Sequence, residues 1–515
     1  MVEFPRRYNA VTDLVDRHVD EGRADRIAFR DDTGVLTYGE LRHRVCKAAH
    51  ALTALGIEPE QRVLMIVQDT FDFPVVFLGA MRAGMIPIPV NTLLPPADYE
   101  LLLRDSRARA LVVSAPLVER VRDVVEKVPT LRHVLVVGAT ADIARCERFE
   151  PLLARMPDAH EAFPTAPDDV AFWLYSSGST GAPKGVLHLH AHLMRTATLY
   201  GRGVLGIRED DIVFSAAKLF FAYGLGNALT FPLAVGASSV LLAERPTPAS
   251  VLRIFREHRP TIYCGVPTLF ATMLADAGLT PEAASSLRIS VSAGEALPRH
   301  VGETWRQRMG SDILDGIGST ELLHIFLSNR PGDVRYGTSG KPVPGYELEL
   351  RGDDGVPVAT GEEGALWVRG PSGAAGYWNQ RELSLSTFHG PWTRTGDRYQ
   401  CDAEGYFTYL GRSDDMLKVG GIWVSPFEVE SALVEHDAVL EAAVVGHADA
   451  DGLVKPKAFV VLRGDGQPPS DGLTDELKAF IKRKLAPYKY PRWIEFVSEL
   501  PKTATGKIQR FRLRG

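Results

Sequence analysis

Short runs that are apolar at nearly every position recur along this chain, separated by stretches with helical spacing. Val63–Val67, Ala110–Val113, Val134–Val137, Ile212–Ala217, Ser239–Leu242, Ile262–Val266 and Ile289–Ser292 read as buried strands. Tyr38–Leu55 and Phe73–Ala83 place apolar residues three and four apart, the spacing of a helix lying on a core. Gly84–Val90 reads as a turn into a further strand, and His188–Tyr200 as a helix. Strands without polar alternation need cover on both faces, which helices on a parallel sheet provide. An α/β fold with stacked α/β layers is therefore predicted for the large N-terminal domain. At 515 residues the chain exceeds what one core covers, so at least two domains are expected.

The pattern changes near Gly337, where short β runs rich in glycine and proline continue to Tyr409 and predict a small β subdomain. Gly411–Gly421 is charged and glycine-bearing, as a boundary is. Beyond it, Ser425–Glu435 and Leu473–Leu485 read as helices, and Ala442–Val445, Ala458–Leu462 and Trp493–Phe496 as strands. The division expected is residues 1–411 for the N-terminal domain and 412–515 for a mobile α+β C-terminal domain.

A net charge of −6 without a basic stripe gives nucleic acid no electrostatic footprint. Cys46, Cys146, Cys264 and Cys401 lie far apart with no CxxC spacing, which argues against a disulfide framework or zinc site and fits a reducing compartment. The N-terminal stretch is charged throughout, so no signal peptide is expected, and no apolar run reaches membrane-spanning length. The RFRLRG ending matches no peroxisomal or lipidation signal. A cytoplasmic monomer or homodimer without membrane contact is the expectation.

Chemistry concentrates in Tyr175–His190, YSSGSTGAPKGVLHLH. Ser176, Ser177, Ser179 and Thr180 alternate with Gly178 and Gly181, and Lys184 closes the run. Glycines let backbone N–H groups turn inward, hydroxyls add donors and the lysine supplies a point charge, a combination that suits a polyphosphate. The spacing is not that of the strand–helix P-loop, because Pro183 precedes the lysine and Gly185 follows it. A flexible linker would share this composition. However, Phe172–Tyr175 and Val186–Leu189 flank the run as apolar strands, and a linker is rarely pinned between two of those.

Six stretches in order resemble the adenylate-forming family of acyl- and aryl-CoA ligases, luciferases and peptide-synthetase adenylation domains. They are Tyr175–Lys184, Ser292–Pro298 (SAGEALP), Gly318–Glu321 (GSTE), Thr395–Asp397 (TGD), Gly411–Asp415 (GRSDD) and Pro501–Lys507 (PKTATGK). The resemblance covers essentially the whole chain. It implies ATP and Mg²⁺ in a first half-reaction that makes an acyl-AMP, and coenzyme A as cosubstrate in a second. By the same resemblance the Ser176–Lys184 loop holds the β- and γ-phosphates, Thr320 contacts a phosphate and Glu321 binds Mg²⁺. Ala293, Gly294, Glu295, Asp315 and Gly316 line the nucleotide site, Asp397 takes the ribose hydroxyls with Arg412 beside it, and Lys507 bridges the acid and the α-phosphate. Asp414 matches the hinge about which the C-terminal domain turns, and Gly420 and Gly421 match the loop facing the pantetheine arm.

Phe220–Asn227 (FFAYGLGN) and Leu322–Leu327 (LLHIFL) resemble the benzoate–CoA ligase branch. Phe221, Ala222, Tyr223, Gly318, His324 and Ile325 are then expected around a small aromatic carboxylic acid. Phe221 stands where many relatives carry a gating histidine. A compact slot with flat walls suits a single ring and is too small for an extended heteroaromatic. The function expected is ATP-dependent conversion of benzoate or a simple substituted benzoate to its CoA thioester. Loading of an aryl acid onto a carrier protein, and ligation of hydroxy- or aminobenzoate to coenzyme A, are the alternatives.

Overall fold

Arg62–Ile66 illustrates why the layers form. In the computed structural model, which describes residues 3–138, 143, 145–177, 183–413, 415–419, 422–449, 453–464, 468–486, 488–502 and 508–514, Val63 and Met65 join one apolar cluster and Leu64 and Ile66 another. Alternate residues point to opposite faces, so both faces of this strand are covered. It belongs to a five-stranded sheet, parallel throughout, of order Ile86–Pro89, Arg62–Ile66, Ala110–Ser114, His133–Val137, Cys146–Arg148.

Among the described residues a second sheet has nine strands, in the order Lys341–Pro342, Ile325–Ser328, Ile313–Gly318, Ile289–Ser292, Ile262–Gly265, Ile212–Ser215, Ser238–Val240, Ile27–Asp31, Gly34–Thr37. Its inner strands are parallel and the edge pairs antiparallel. One cluster joins the two sheets, and helix Asp72–Arg82 sits in it, buried at every residue from Phe73 to Arg82. A helix in that place must be apolar all round. Helix Tyr38–Ala54, opened by a Thr37–Glu40 capping box, packs on it so closely that a Cβ on Gly79 would lie 2.6 Å from that of Ala48.

Two expectations shift. The β subdomain begins later than Gly337, because Lys341–Pro342 edges the nine-stranded sheet; Glu347–Arg351 is the first strand of the smaller antiparallel one. His188 is in a strand rather than a helix. It pairs with Phe172 and its ring stacks on the phenyl group at 5.2 Å, which holds it in the ladder. The helix starts at His190 and widens after Thr196 into a π-helical stretch, Ala197–Arg202.

The C-terminal elements carry their own apolar cluster, including Val424, Val429, Leu433, Val444, Val460 and Leu477. Val439–Ala448 pairs antiparallel with Val454–Leu462, which pairs parallel with Trp493–Phe496. Ser425 caps helix Pro426–Val434, accepting from Glu428 N at 3.1 Å. Arg510 forks onto Glu430 at 3.0 and 2.6 Å, and Glu430 also accepts from Val444 N at 2.7 Å. The same guanidinium lies 3.7 Å from Asp415, tying the chain end to the segment after Arg412. Among the described residues no helix is long and apolar enough to cross a membrane.

Arg510→Met would leave the buried Glu430 carboxylate without its cation, at a cost of about 3–5 kcal/mol. Urea denaturation should show this loss in the transition of the C-terminal elements. Arg510→Met combined with Glu430→Met should recover most of it.

Candidate active site

The phosphate-type motif folds as a hairpin, Val170–Ser177 against Pro183–Leu189, with Ser176 opposite Lys184. Lys184 is therefore a strand residue whose backbone is fixed by the ladder. A third segment zips onto the hairpin. Leu187 N donates to Gly376 O at 3.0 Å, Ala375 N to Leu187 O at 3.0 Å and Trp378 N to Gly185 O at 2.8 Å. The Trp378 ring meets Trp173 at 4.6 Å between centroids.

Two contacts join this assembly to the short 3₁₀ turn Thr320–Leu322. His188 Nε2–H donates to Thr320 O at 2.8 Å, and Ala374 N donates to Glu321 O at 2.8 Å. Tyr377 then reaches the side chain of the turn, its hydroxyl donating to Glu321 Oε1 at 2.9 Å. Lys184 Nζ lies 5.5 Å from the centroid of the same tyrosine ring. Lys184 and Glu321, distant in sequence, thus meet at Tyr377.

The remaining residues arrive at the C-terminal ends of parallel strands, where open α/β sheets leave room for ligands. Phe221–Tyr223 follow strand Ile212–Ser215, Ala293–Glu295 follow Ile289–Ser292, and Gly316 and Gly318 end Ile313–Gly318. The Tyr223 hydroxyl is shared between Gly265 O at 3.2 Å and Val291 O at 3.1 Å, which ties this turn across two neighbouring strand ends. Lys218 fixes the approach to it, donating to the carbonyls of Leu242 and Glu244, while the buried Asp69 accepts from Leu219 N at 3.3 Å.

His324 forms the wall opposite. Its Nε2–H donates to Tyr223 O at 3.3 Å, and its ring touches Tyr200, Tyr223 and Phe231. Gly226 and Gly318 are required here: a Cβ on the first would lie 2.2 Å from His324 Cδ2, and on the second 2.5 Å from His324 O. Leu323, directly before it, has φ 66°, a strained conformation for a leucine. Burial pushes the imidazole pKa down to about 3, so the ring is neutral at pH 7. Ile325 is buried and pairs with Gly318. Asp315 is buried on the adjacent strand with Oδ1 unpartnered, and burial pushes its carboxyl well above the usual carboxylate range.

Asp397 is buried in strand Trp392–Cys401, directly opposite Arg412, the last residue of Phe407–Arg412. Arg412 Nη1 donates to Asp397 Oδ1 and to Thr395 O, both at 3.1 Å. Strand Trp392–Cys401 packs on the Thr320–Leu322 turn. Gly178, Ser179, Thr180, Gly181, Asp414, Gly420, Gly421 and Lys507 lie outside the described residues.

Residues 15–378 match the AMP-binding enzyme family, and residues 428–507 match the AMP-binding enzyme C-terminal domain. The chain belongs to the AMP-binding enzyme family. The benzoate–CoA ligase of Thauera aromatica is 58% identical over 100% of this chain and 97% of its own length. A crystal structure of a benzoate CoA ligase from Burkholderia xenovorans LB400 has a TM-score of 0.92 and 53% identity, over 99% of this chain and 100% of that one. The anthranilate CoA ligase AuaEII, in complex with anthranoyl-AMP, has a TM-score of 0.95 and 44% identity over 99% of this chain and 97% of that one.

Two residues of this AMP-binding enzyme's site escape the sequence reading, Tyr377 and His188. His188 falls within the Tyr175–His190 run but is given no role by its composition, and Tyr377 lies outside every such run, 56 residues from Glu321. Only the pairing of Gly376 and Trp378 with the hairpin discloses the tyrosine.

His324 carries a pH signature. Its folded pKa is below the unfolded value, so the unfolded chain gains a proton first as pH falls and stability is lost between about pH 6.5 and 3. The slope is about 1.4 kcal/mol per pH unit within that window. The destabilisation caused by His324→Gln, measured by urea unfolding, should therefore shrink from pH 7.5 to pH 5.

Proposed function

We propose that this chain is an AMP-forming acid–thiol ligase that converts benzoate, or a simple substituted benzoate, to its CoA thioester. The observation that carries this reading is the buried, neutral His324 ring, bonded to Tyr223 O and packed among Tyr200, Tyr223 and Phe231, just after the turn bearing Thr320 and Glu321. One aromatic ring needs flat apolar faces, and its carboxylate needs cations and a nucleotide beside it. The full-length likeness to the benzoate–CoA ligase of Thauera aromatica supports the same acid.

A carboxylate is a poor electrophile. Attack of one carboxylate oxygen on the α-phosphorus of ATP expels pyrophosphate and leaves the acyl group on AMP. The thiolate of coenzyme A then attacks the acyl carbon, and AMP departs with the bonding electrons. Both steps ask the protein mainly for positioning and charge stabilisation.

In this reading Ser176, Ser177, Gly178, Ser179, Thr180, Gly181 and Lys184 cradle the β- and γ-phosphates, and Thr320 contacts one of them. Ala293, Gly294, Glu295, Asp315 and Gly316 line the nucleotide site, and the Asp397–Arg412 pair receives the ribose. Lys507 neutralises charge between acid and α-phosphate. In the same reading Phe221 and Gly318 border the acid. The donor set at Glu321 fits Mg²⁺, which takes one or two protein carboxylates and completes its shell with phosphates and water. Among the described residues no group of three or more His, Cys, Asp or Glu could cage a metal. Bound there, Mg²⁺ would neutralise developing phosphate charge. Turning of residues 412–515 about Asp414 would exchange Lys507 for Gly420 and Gly421, which face the pantetheine arm. A cytoplasmic monomer or homodimer that binds no nucleic acid completes the proposal.

The likeness to an anthranilate CoA ligase favours a second reading, an aminobenzoate. A largely apolar slot rejects an added hydroxyl by only ~10²-fold. A panel of benzoates assayed for pyrophosphate release and thioester formation tests both readings, with coenzyme A or a phosphopantetheinylated carrier protein as acceptor. Thioester on the carrier alone overturns the ligase assignment.

Two variants probe the roles. Lys507→Ala should abolish acyl-AMP formation yet leave thioester formation from pre-made benzoyl-AMP largely intact; single-turnover assays of each step would reveal an equal loss if the lysine serves both. Ala222→Leu overfills the slot, at ~1–3 kcal/mol, or roughly a 5- to 150-fold loss in kcat/KM for benzoate. Propionate, which needs less room, should lose much less; a uniform loss removes Ala222 from the slot.

A further inference from the structure

We infer that Tyr377 is a positioning residue for the first half-reaction, fixing the Glu321 carboxylate and the Lys184 ammonium in one geometry for the metal-bound triphosphate. The inference rests on the reading of Glu321 and Lys184 given under Proposed function.

Glu321 is anchored twice by the segment that contains Tyr377. Its carbonyl accepts from Ala374 N at 2.8 Å and its Oε1 from the Tyr377 hydroxyl at 2.9 Å. Among the described residues Oε2 has no hydrogen-bond partner, so the tyrosine occupies one carboxylate oxygen and leaves the other for a cation. A glutamate on a three-residue turn has several rotamers open to it. One hydrogen bond from a fixed phenol removes most of them before ligand arrives.

The phenol is itself fixed. Tyr377 is 7% exposed, its neighbours Gly376 and Trp378 are bonded to Leu187 and Gly185, and its ring packs on Phe388 at 5.2 Å. Lys184 Nζ lies 5.5 Å from the ring centroid, within reach of a cation–π attraction. One ring thereby meets an anion through its hydroxyl and a cation through its π system. The two charges are held near each other without forming a direct ion pair, which would withdraw both from the phosphates and metal they serve.

Tyr377→Phe keeps the ring, and with it the Lys184 contact, and removes the hydrogen bond to Glu321. Hydrogen bonds to charged groups are worth about 1.5–3 kcal/mol, roughly 10- to 150-fold. The half-saturating Mg²⁺ concentration for benzoyl-AMP formation should rise by about tenfold or more. KM for benzoate should stay within about twofold of the wild type, since the slot is untouched. Independently of turnover, the rise in melting temperature that ATP and Mg²⁺ together give the full-length protein, measured from each protein's own ligand-free value, should shrink in the variant. Glu321→Gln is measured alongside. If Glu321→Gln shifts the Mg²⁺ dependence and Tyr377→Phe does not, the positioning role is overturned and the reading of Glu321 stands. If Glu321→Gln leaves it unchanged, that reading fails and this inference with it. A lowered ligand-free melting temperature with unchanged Mg²⁺ dependence would make Tyr377 a structural residue and also overturn the proposal.

Discussion

Strands such as Arg62–Ile66 and Ile262–Gly265 are covered on both faces, so polar chemistry can gather only where the strands stop. That constraint locates the site. Phe221–Tyr223, Ala293–Glu295 and Thr320–Glu321 all follow strands of the nine-stranded sheet at the same end. The antiparallel hairpin Val170–Ser177 and Pro183–Leu189 is not part of either large sheet, and it brings Lys184 to that end from outside. Its attachment depends on Ala374–Trp378, which bonds to the hairpin strand on one side and to Glu321 on the other.

Burial does chemical work on the histidines near these strand ends. His324, His188 and His192 are all buried, and burial holds each imidazole below its ordinary pKa. Neutral rings can pack against aromatic neighbours and donate single hydrogen bonds, as His188 does to Thr320 O and His324 to Tyr223 O. His324 therefore brings no fixed charge beside Tyr223 and Phe231, which suits an aromatic ring. The charged groups, Lys184, Glu321, Asp397 and Arg412, cluster at the adjoining turn and strands. A substrate with an apolar ring and an anionic head can be oriented by this division alone.

Much of this was legible in the chain. Ile289–Ser292 and Trp493–Phe496 form as read, and helix Tyr38–Ala54 ends one residue short of the expectation. Each is a stretch whose own periodicity decides its structure. His188 was not legible: the apolar spacing of the residues after it suits a helix, and only pairing with Phe172 keeps it extended. Lys341–Pro342 has the composition of the β subdomain but pairs with Ile325–Ser328. Phe221–Tyr223, Gly226, Gly318, His324 and Ile325 all fall in stretches read as motifs, yet the close packing of Gly226 on His324 was not legible, since nothing local ties it to a ring 98 residues on.

By itself the sequence determined the α/β layering, the separate C-terminal elements and the six ordered motifs, because hydrophobic periodicity and turn chemistry act between neighbours along the chain. Tertiary structure alone decided that Tyr377 meets Glu321 and Lys184, that Asp397 faces Arg412 across a ladder, and that Arg510 closes on Glu430 and Asp415. These contacts join residues far apart in sequence, and their geometry is set by strand register and by the packing of whole layers. A one-residue slip would point each side chain to the opposite face.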